Sequence, residues 1–415
     1  MVRATGESAS QPGFLSILHN RNFALLWGGQ AVSQVGDGLF YVAQIWLVLQ
    51  LTGSALAMGT TLILTQIPRL AFQLIGGVSV DRYDRRRMMF LSDAIRGLVV
   101  LVFAILVATN RAQMAHVYVL SVVFGVVSAF CYPAQAALTP NLVPADRLIA
   151  ANSLLGLTQQ LSQVLGPIAA GVLISIPSIG VAGVSFFNAA SFAIGAVGLA
   201  LMRLPEQTKD ATRANTSVGH ELRDGFRYLL GFRALVIVLL LAMVLNFALA
   251  PFEVLLPLFT KTVLGFGAEA FGLLMSSFGV GMVAGSLGVG AWSPRTRRGI
   301  YVFVGTTLTG VLMAALGAIP VFIATVAILV TGGALIAAVN TLLATVMQGM
   351  IEDEYRGRVF SLNMMISMGL APIALAVAGG LADAMGPGTV FVAGGALTTV
   401  VSLCGLFFPE IRAME

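Results

Sequence analysis

Charge is what this sequence has least of. Of its 415 residues only 10% are Asp, Glu, Lys or Arg, against 58% hydrophobic. A soluble domain carries roughly 25% charged residues. So few charges cannot cover a water-facing surface, which leaves lipid to cover most of it. Lysine is nearly absent, with Lys209 and Lys261 alone. A phosphate-binding loop needs Gly-Lys-Ser or Gly-Lys-Thr. Asp210 follows Lys209 and Thr260 precedes Lys261, so an ATP-driven pump is excluded. The two cysteines, Cys131 and Cys404, lie inside apolar stretches, and His19, His116 and His220 are far apart at the edges of such stretches. Neither a disulfide framework nor a metal site is expected, and no cofactor. The net charge of +5 does not indicate nucleic-acid binding, because the basic residues sit in short loops between apolar runs. The opening MVRATGESASQPGF has no apolar core or small-residue cleavage site. The first span is therefore expected to act as its own insertion signal.

What is present is a series of long apolar runs. A bilayer core about 30 Å thick needs roughly 20 apolar residues per helix. On that scale spans fall near 22–50, 54–78, 88–109, 114–141, 151–175 and 181–202, then near 234–260, 268–292, 300–318, 321–347, 360–385 and 388–408. The polar stretch 204–232 separates the two sets. Within it Leu222, Phe226, Leu229 and Leu230 fall at helical spacing, which predicts a short amphipathic helix on the membrane face. With the N-terminus inside, nineteen of the 23 Lys and Arg side chains face the cytoplasm, and only Arg111 and Lys261 face outward. That bias places both termini in the cytoplasm.

The two sets look related. At an offset of about 208 residues Gly125 meets Gly333, Asp146 meets Glu354 and Ser153 meets Ser361. Parallel six-helix repeats are a transporter plan, with the substrate near the midplane between halves. The expected organisation is thus a bundle over 1–203, a linker over 204–232 and a second bundle over 233–415.

Between the second and third spans the chain reads GGVSVDRYDRRRMM. Gly77, Asp81, Arg82, Arg85 and Arg86 resemble the loop motif of the major facilitator superfamily. Asp84 stands where the broad family usually has Gly. The DRxDRR form resembles the drug- and siderophore-efflux branch, which includes macrolide and enterobactin exporters. GDGLFYVAQIWLVLQLTGSA, SDAIR, ELRDGFRYL and YRGRVFSL resemble that branch too. The resemblance implies an all-α membrane protein of about twelve transmembrane helices in two pseudo-symmetric six-helix bundles, acting as a monomer. It implies that the first, fourth, seventh and tenth helices line a central cavity. It also implies that Asp81 latches the halves at the cytoplasmic rim by facing the N-terminus of the eleventh span, where a carboxylate gains roughly 0.3–1 kcal/mol. Gly77 is expected to allow close helix packing there, and the arginines to add links or to set orientation alone. In the fifth span, Gly166, Pro167 and Gly171 of GPIAAG resemble the antiporter motif of the same superfamily. Packing and bending alone would also explain them.

An ionisable side chain at mid-bilayer costs at least about 2.5–3.5 kcal/mol, so each needs an explanation. Asp37, flanked by Gln34 and Gln44, lies near the middle of the first span and is the expected coupling residue. A carboxylate buried there can load and release a proton on each cycle. The alternative is a permanent ion pair with Arg69. Glu253, beside Pro251 and Pro257, is a second candidate for protons or substrate. Asn246 falls close to the repeat equivalent of Asp37. Asp93 and Arg96 share a helix face and are expected to form a structural pair supporting the loop motif. The large apolar residues Trp27, Phe40, Tyr41, Trp46, Tyr132, Phe247 and Phe252, with few polar additions such as Gln135 and Asn340, predict a greasy pocket for an amphipathic organic molecule.

The expected function is export of an amphipathic small molecule, a drug or siderophore-like compound, by proton antiport with alternating access. The setting is the bacterial inner membrane, where lipid surrounds the multi-pass chain. The alternatives are a lipid or lysolipid translocator, or an importer, on the same fold, and more distantly a non-transporting sensor. An enzyme is not expected: no Tyr-Asp lies in a span, and Asp37 follows Gln34, Val35 and Gly36 rather than a Gly-x-Gly.

Overall fold

A bilayer offers no water to free backbone groups, so each spanning segment must satisfy its own N–H and C=O groups as a helix. The computed structural model describes residues 14–203, 233–292, 298–351, 353–405 and 407. The amphipathic helix expected near 221–230 lies outside these, as do the side chains of Asp81, Arg82 and 354–368. Six helices form the first half: α1 (Arg21–Thr52), α2 (Ala55–Arg82), α3 (Arg85–Ala108), α4 (Met114–Leu138), α5 (Leu148–Ser175) and α6 (Gly180–Leu201). The second half holds α7 (Arg233–Leu249), α8 (Phe252–Thr262), α9 (Ala268–Trp292), α10 (Arg298–Ala318), α11 (Phe322–Met350), α12 (Asp353–Met385) and α13 (Pro387–Gly405). Among the described residues eleven segments are long and apolar enough to cross a bilayer, and Gly369–Met385 is a shorter apolar helix.

The span expected near 234–260 is present, with a break inside it. That span is two helices, α7 and α8, broken at Ala250 and Pro251. Pro251 has no N–H to return to the preceding turn, and its carbonyl instead accepts from Leu255 at 2.9 Å to start α8.

Local chemistry closes the first hairpin. The Asn20 carboxamide accepts from the Asn22 and Phe23 amides and starts α1. Gly53, at φ 66°, ends it by donating to Leu49 O at 3.0 Å. Ser54 then caps α2 by accepting from the Ala57 amide at 3.1 Å.

The two halves repeat one pattern of neighbours. α1 packs on α5 and α6, α2 on α4, and α3 on α4 and α6. In the second half α7 packs on α12 and α13, α9 on α11, and α10 on α11 and α13. Gly125 of α4 and Gly333 of α11 do the same task. A Cβ on Gly125 would strike the Thr65 carbonyl of α2, and one on Gly333 the Phe278 carbonyl of α9. Gly125→Val and Gly333→Val are each expected to destabilise the protein by about 1–3 kcal/mol through overpacking. Apparent melting temperature in detergent checks this.

The halves meet across α5 with α9 and α2 with α12. These seams lie at the end where α1 passes into α2, opposite the loop that joins α2 to α3. Gly171 faces the backbone of Ala268, Glu269 and Gly272, while Gly379 faces Ala55 and Leu56. Trp46 of α1 stacks on Phe271 of α9 with centroids 6.1 Å apart.

Candidate functional site: a cavity with a shared arginine

A cavity of about 800 Å³ opens in the first half. Its described walls come from α1, α2, α4 and α5, with Arg96 of α3 at its floor. It runs from Gln44, past the middle of α1, toward Thr139 and Asn152, where α4 ends and α5 begins. That is the end opposite the closed seams.

Asp37 stands in this cavity and is the one carboxylate among its described lining residues. Its neighbour is not Arg69. Arg96 Nη1 lies 3.7 Å from Asp37 Oδ2, and no ion pair to Arg69 forms among the described residues. Arg96 belongs more closely to Asp93, three residues earlier on α3, to which its Nη2 donates. It also donates to Cys131 Sγ at 3.2 Å, and its guanidinium sits 4.4 Å above the Phe192 ring. Gln30 Nε2 holds the other Asp93 oxygen at 3.1 Å. The side chain of Asp93 is fully buried and that of Arg96 is 8% exposed, whereas that of Asp37 is 37% exposed. The expected pair Asp93–Arg96 therefore forms, but beside Asp37, as part of the site, rather than beneath the loop motif. About eleven residues into α3, at 1.5 Å each, place Arg96 near the bilayer middle.

This geometry divides the labour between two acids. Asp93 neutralises the buried guanidinium with close contacts. Asp37 makes no such close contact with Arg96; besides the guanidinium it has the Asn188 amide of α6 beside it. Asp37 can therefore take up a proton without stranding Arg96 as an uncompensated charge. Removing Arg96 would strand Asp93 instead. Arg96→Ala is expected to cost about 3–5 kcal/mol, and adding Asp93→Ala should recover part of it. Thermal unfolding of the single and double variants in detergent reads both.

The other expected site residues divide into groups. Gln34, Gln44, Arg69 and Gln135 line the large cavity with Asp37. Gln44 Nε2 donates to Ser121 Oγ at 2.9 Å. Asn246 and Asn340 line a separate cavity of about 180 Å³ within the second half. Glu253 lines neither; it lies in the first turn of α8 against the buried Tyr41 hydroxyl of α1. Of the aromatics, Phe40, Tyr41 and Tyr132 reach the large cavity. Trp46 and Phe252 stack in the packed core, and Trp27 donates to Thr158 Oγ1 at 2.9 Å.

The apolar lining expected from composition is there in Phe40, Tyr41, Leu62, Phe124 and Leu155, but more amides join it than the few expected. Gln66, Asn152, Gln159 and Gln163 join Gln34 and Gln135 in the cavity wall. Their signal is present in the sequence: residues 152, 159 and 163 are seven and four apart and share one face of α5.

The loop motif behaves differently from expectation. Gly77 faces open space, and Gly76 makes the close approach, to Ala129 of α4. Arg85 Nη1 donates to Ala137 O at 3.0 Å and Arg86 donates to Met202 O. Both arginines thus tie the start of α3 to the C-terminal ends of α4 and α6, where a cation meets the favourable end of the helix dipole. They join helices within one half. Asp84, the departure from the family pattern, caps α3 by accepting from the Arg87 amide at 2.7 Å. The partner expected for Asp81 lies outside the described side chains.

GPIAAG sits at the seam between halves. Gly166 packs on Gly38 of α1, while Pro167 and Gly171 pack on Gly272 of α9. Ser276 of α9 donates to Val164 O of α5 at 2.7 Å. At the same end, two charges of the second half grip the α1–α2 turn. Asp383 Oδ1 accepts from the Ala55 amide at 2.6 Å, and its Oδ2 accepts from Ser54 Oγ at 2.5 Å and the Leu56 amide at 3.2 Å. Lys261 Nζ donates to Leu49 O at 3.3 Å, at the C-terminal end of α1. An acid at a helix N-terminus and a base at a helix C-terminus are both the favourable sign. Sequence reasoning had placed a carboxylate-to-helix contact at the opposite end and missed this one.

The family model of the Major Facilitator Superfamily matches residues 26–375. The chain belongs to that superfamily. Among its relatives, macrolide efflux protein A of Streptococcus pyogenes is 25% identical, over 95% of this chain and 97% of its own. The multidrug efflux pump Tap of Mycolicibacterium fortuitum is 26% identical over 95% and 96%, and the enterobactin exporter EntS of Citrobacter koseri 26% over 94% and 92%. Among solved structures, the fold matches nucleoside transporter NupG (TM-score 0.75, 12% identity, 93% and 98% covered). It also matches a bacterial homologue of the iron transporter ferroportin in an inward-facing state (TM-score 0.74, 18% identity, 94% and 99% covered). This protein is a multi-pass major-facilitator transporter with efflux-type relatives.

Proposed function

We propose that this transporter exports an organic small molecule across the bacterial inner membrane by proton antiport, as a monomer with both termini cytoplasmic. The observation that carries the reading is Asp37: the one carboxylate among the described residues of the cavity wall, with its side chain 37% exposed and its arginine already held by Asp93. Such a group exchanges protons with the cavity at little cost to the fold. The closed seams at the α1–α2 end, with the cavity running the other way, support alternating access in an inward-open state. The Lys and Arg bias of the loops supports the cytoplasmic assignment of that open end. Packing of GPIAAG on α9 supports its role in sealing the outer side.

The test is reconstitution. Purified protein in liposomes should accumulate substrate against its gradient when a pH gradient is imposed, and should lose that accumulation when a protonophore collapses the gradient. A stability screen of drugs, siderophores and lysolipids supplies the substrate, because a ligand of the native state raises its apparent stability. Stabilisation by lysolipids alone would favour lipid translocation instead.

A further inference from the structure

The cavity wall has a chemistry of its own. Gln66, Gln159, Gln163 and Asn152 are exposed to the cavity, and Gln135 is half-buried in its wall. None of these five amides makes a hydrogen bond to another protein group; the glutamines that do, Gln30 and Gln44, lie deeper. Gln34 Oε1 and Ser128 Oγ are buried in the same wall without partners. A buried polar atom left unpaired costs about 1–3 kcal/mol, so these are atoms that a ligand would satisfy.

Arg69 and Arg96 line the cavity with Asp37, and Asp93 neutralises Arg96 from behind. Among the described residues two acids offset two arginines when Asp37 is ionised, and a proton on Asp37 leaves one positive charge, so nothing in the wall favours a cation. An amide offers both a donor and an acceptor and no charge. Repeated around a volume of about 800 Å³, it matches a solute that carries hydroxyls and carbonyls over much of its surface.

We propose that this amide-lined wall is a binding site for uncharged, oxygen-rich organic solutes with several hydroxyl and carbonyl groups, in preference to lipophilic cations. The inference deepens the export reading and rests on it for the cavity's role, but it is tested by binding alone.

The experiment is isothermal titration of the purified full-length protein in detergent with two probes. Erythronolide B is an uncharged polyhydroxylated macrolactone; tetraphenylphosphonium is a lipophilic cation. Erythronolide B should bind at least tenfold more tightly. Gln135→Leu and Gln163→Leu should each weaken it about tenfold, the size of one lost hydrogen bond in a desolvated site, while leaving tetraphenylphosphonium unchanged. Melting temperatures of both variants should match the parent protein, since neither amide bonds within the fold. Tighter binding of the cation, no binding of erythronolide B, or Leu variants that bind it unchanged would each overturn the proposal. No gradient is present in this measurement. A failure of proton exchange therefore leaves it intact, and its own failure leaves proton exchange intact.

Discussion

Asp37→Asn is expected to abolish substrate accumulation driven by a pH gradient, down to the level of protein-free liposomes, while leaving downhill exchange of labelled for unlabelled substrate. The change keeps the shape of the side chain and removes the proton site. It should also leave the protein monodisperse, because Arg96 retains Asp93, Cys131 and the Phe192 face. The contrast with Arg96→Ala is the informative part. Losing Arg96 strands a fully buried carboxylate and damages stability; losing the Asp37 charge damages coupling alone. A variant Asp37→Asn that still builds a full gradient would remove Asp37 from the coupling step.

The second large effect is expected at the closed end. Asp383→Ala removes three hydrogen bonds to the N-terminus of α2 and the favourable charge beside it. Loss of such a cap costs about 0.5–2 kcal/mol, or a factor of roughly 2–30 in a two-state ratio. Because the contact joins the halves, its loss disfavours only the state closed at that end. The population should move toward the outward-open state, and Lys261→Ala should move it the same way by less. Spin labels at Asn110→Cys and Ile319→Cys, in the Cys404→Ser background, sit on opposite halves at that end, in the turns after α3 and α10. Their distance distribution should gain a longer component in Asp383→Ala. An unchanged distribution would reduce Asp383 to a local helix cap.

Much of the fold was legible because lipid makes it so. Apolar runs near twenty residues locate the spans to within a few residues, and the Gly125–Gly333 offset appears in the structure as two glycines with the same task. The break in the seventh span was signalled by Pro251 but not resolved into two helices, since proline is tolerated in membrane helices as often as it breaks them. Asp37 was legible as an expensive charge at mid-bilayer. Its partner was not. Arg69 was the candidate by depth and Arg96 was read as a rim residue, and only the packing of α3 against α6 and of α6 against α1 brings Arg96 beside it. Asp383 was missed for a related reason: an acid near a helix end reads as solvated until another half supplies the helix that it caps. The glutamine stripe was missed because amides cost little to insert and therefore draw no attention. Of the aromatics expected at the pocket, Phe40, Tyr41 and Tyr132 do line it, whereas Trp46 and Phe252 are spent on packing.

The central claim is that substrate and proton compete for one cavity through Asp37. The most direct measurement is proton release on ligand binding, read by titration calorimetry in buffers of different ionisation enthalpy. At a pH where the apo protein holds the proton, binding should release it from the parent protein, whereas Asp37→Asn, which mimics the protonated acid, should bind more weakly and release none. Binding with no proton release at any pH, or equal release from both proteins, would contradict the account.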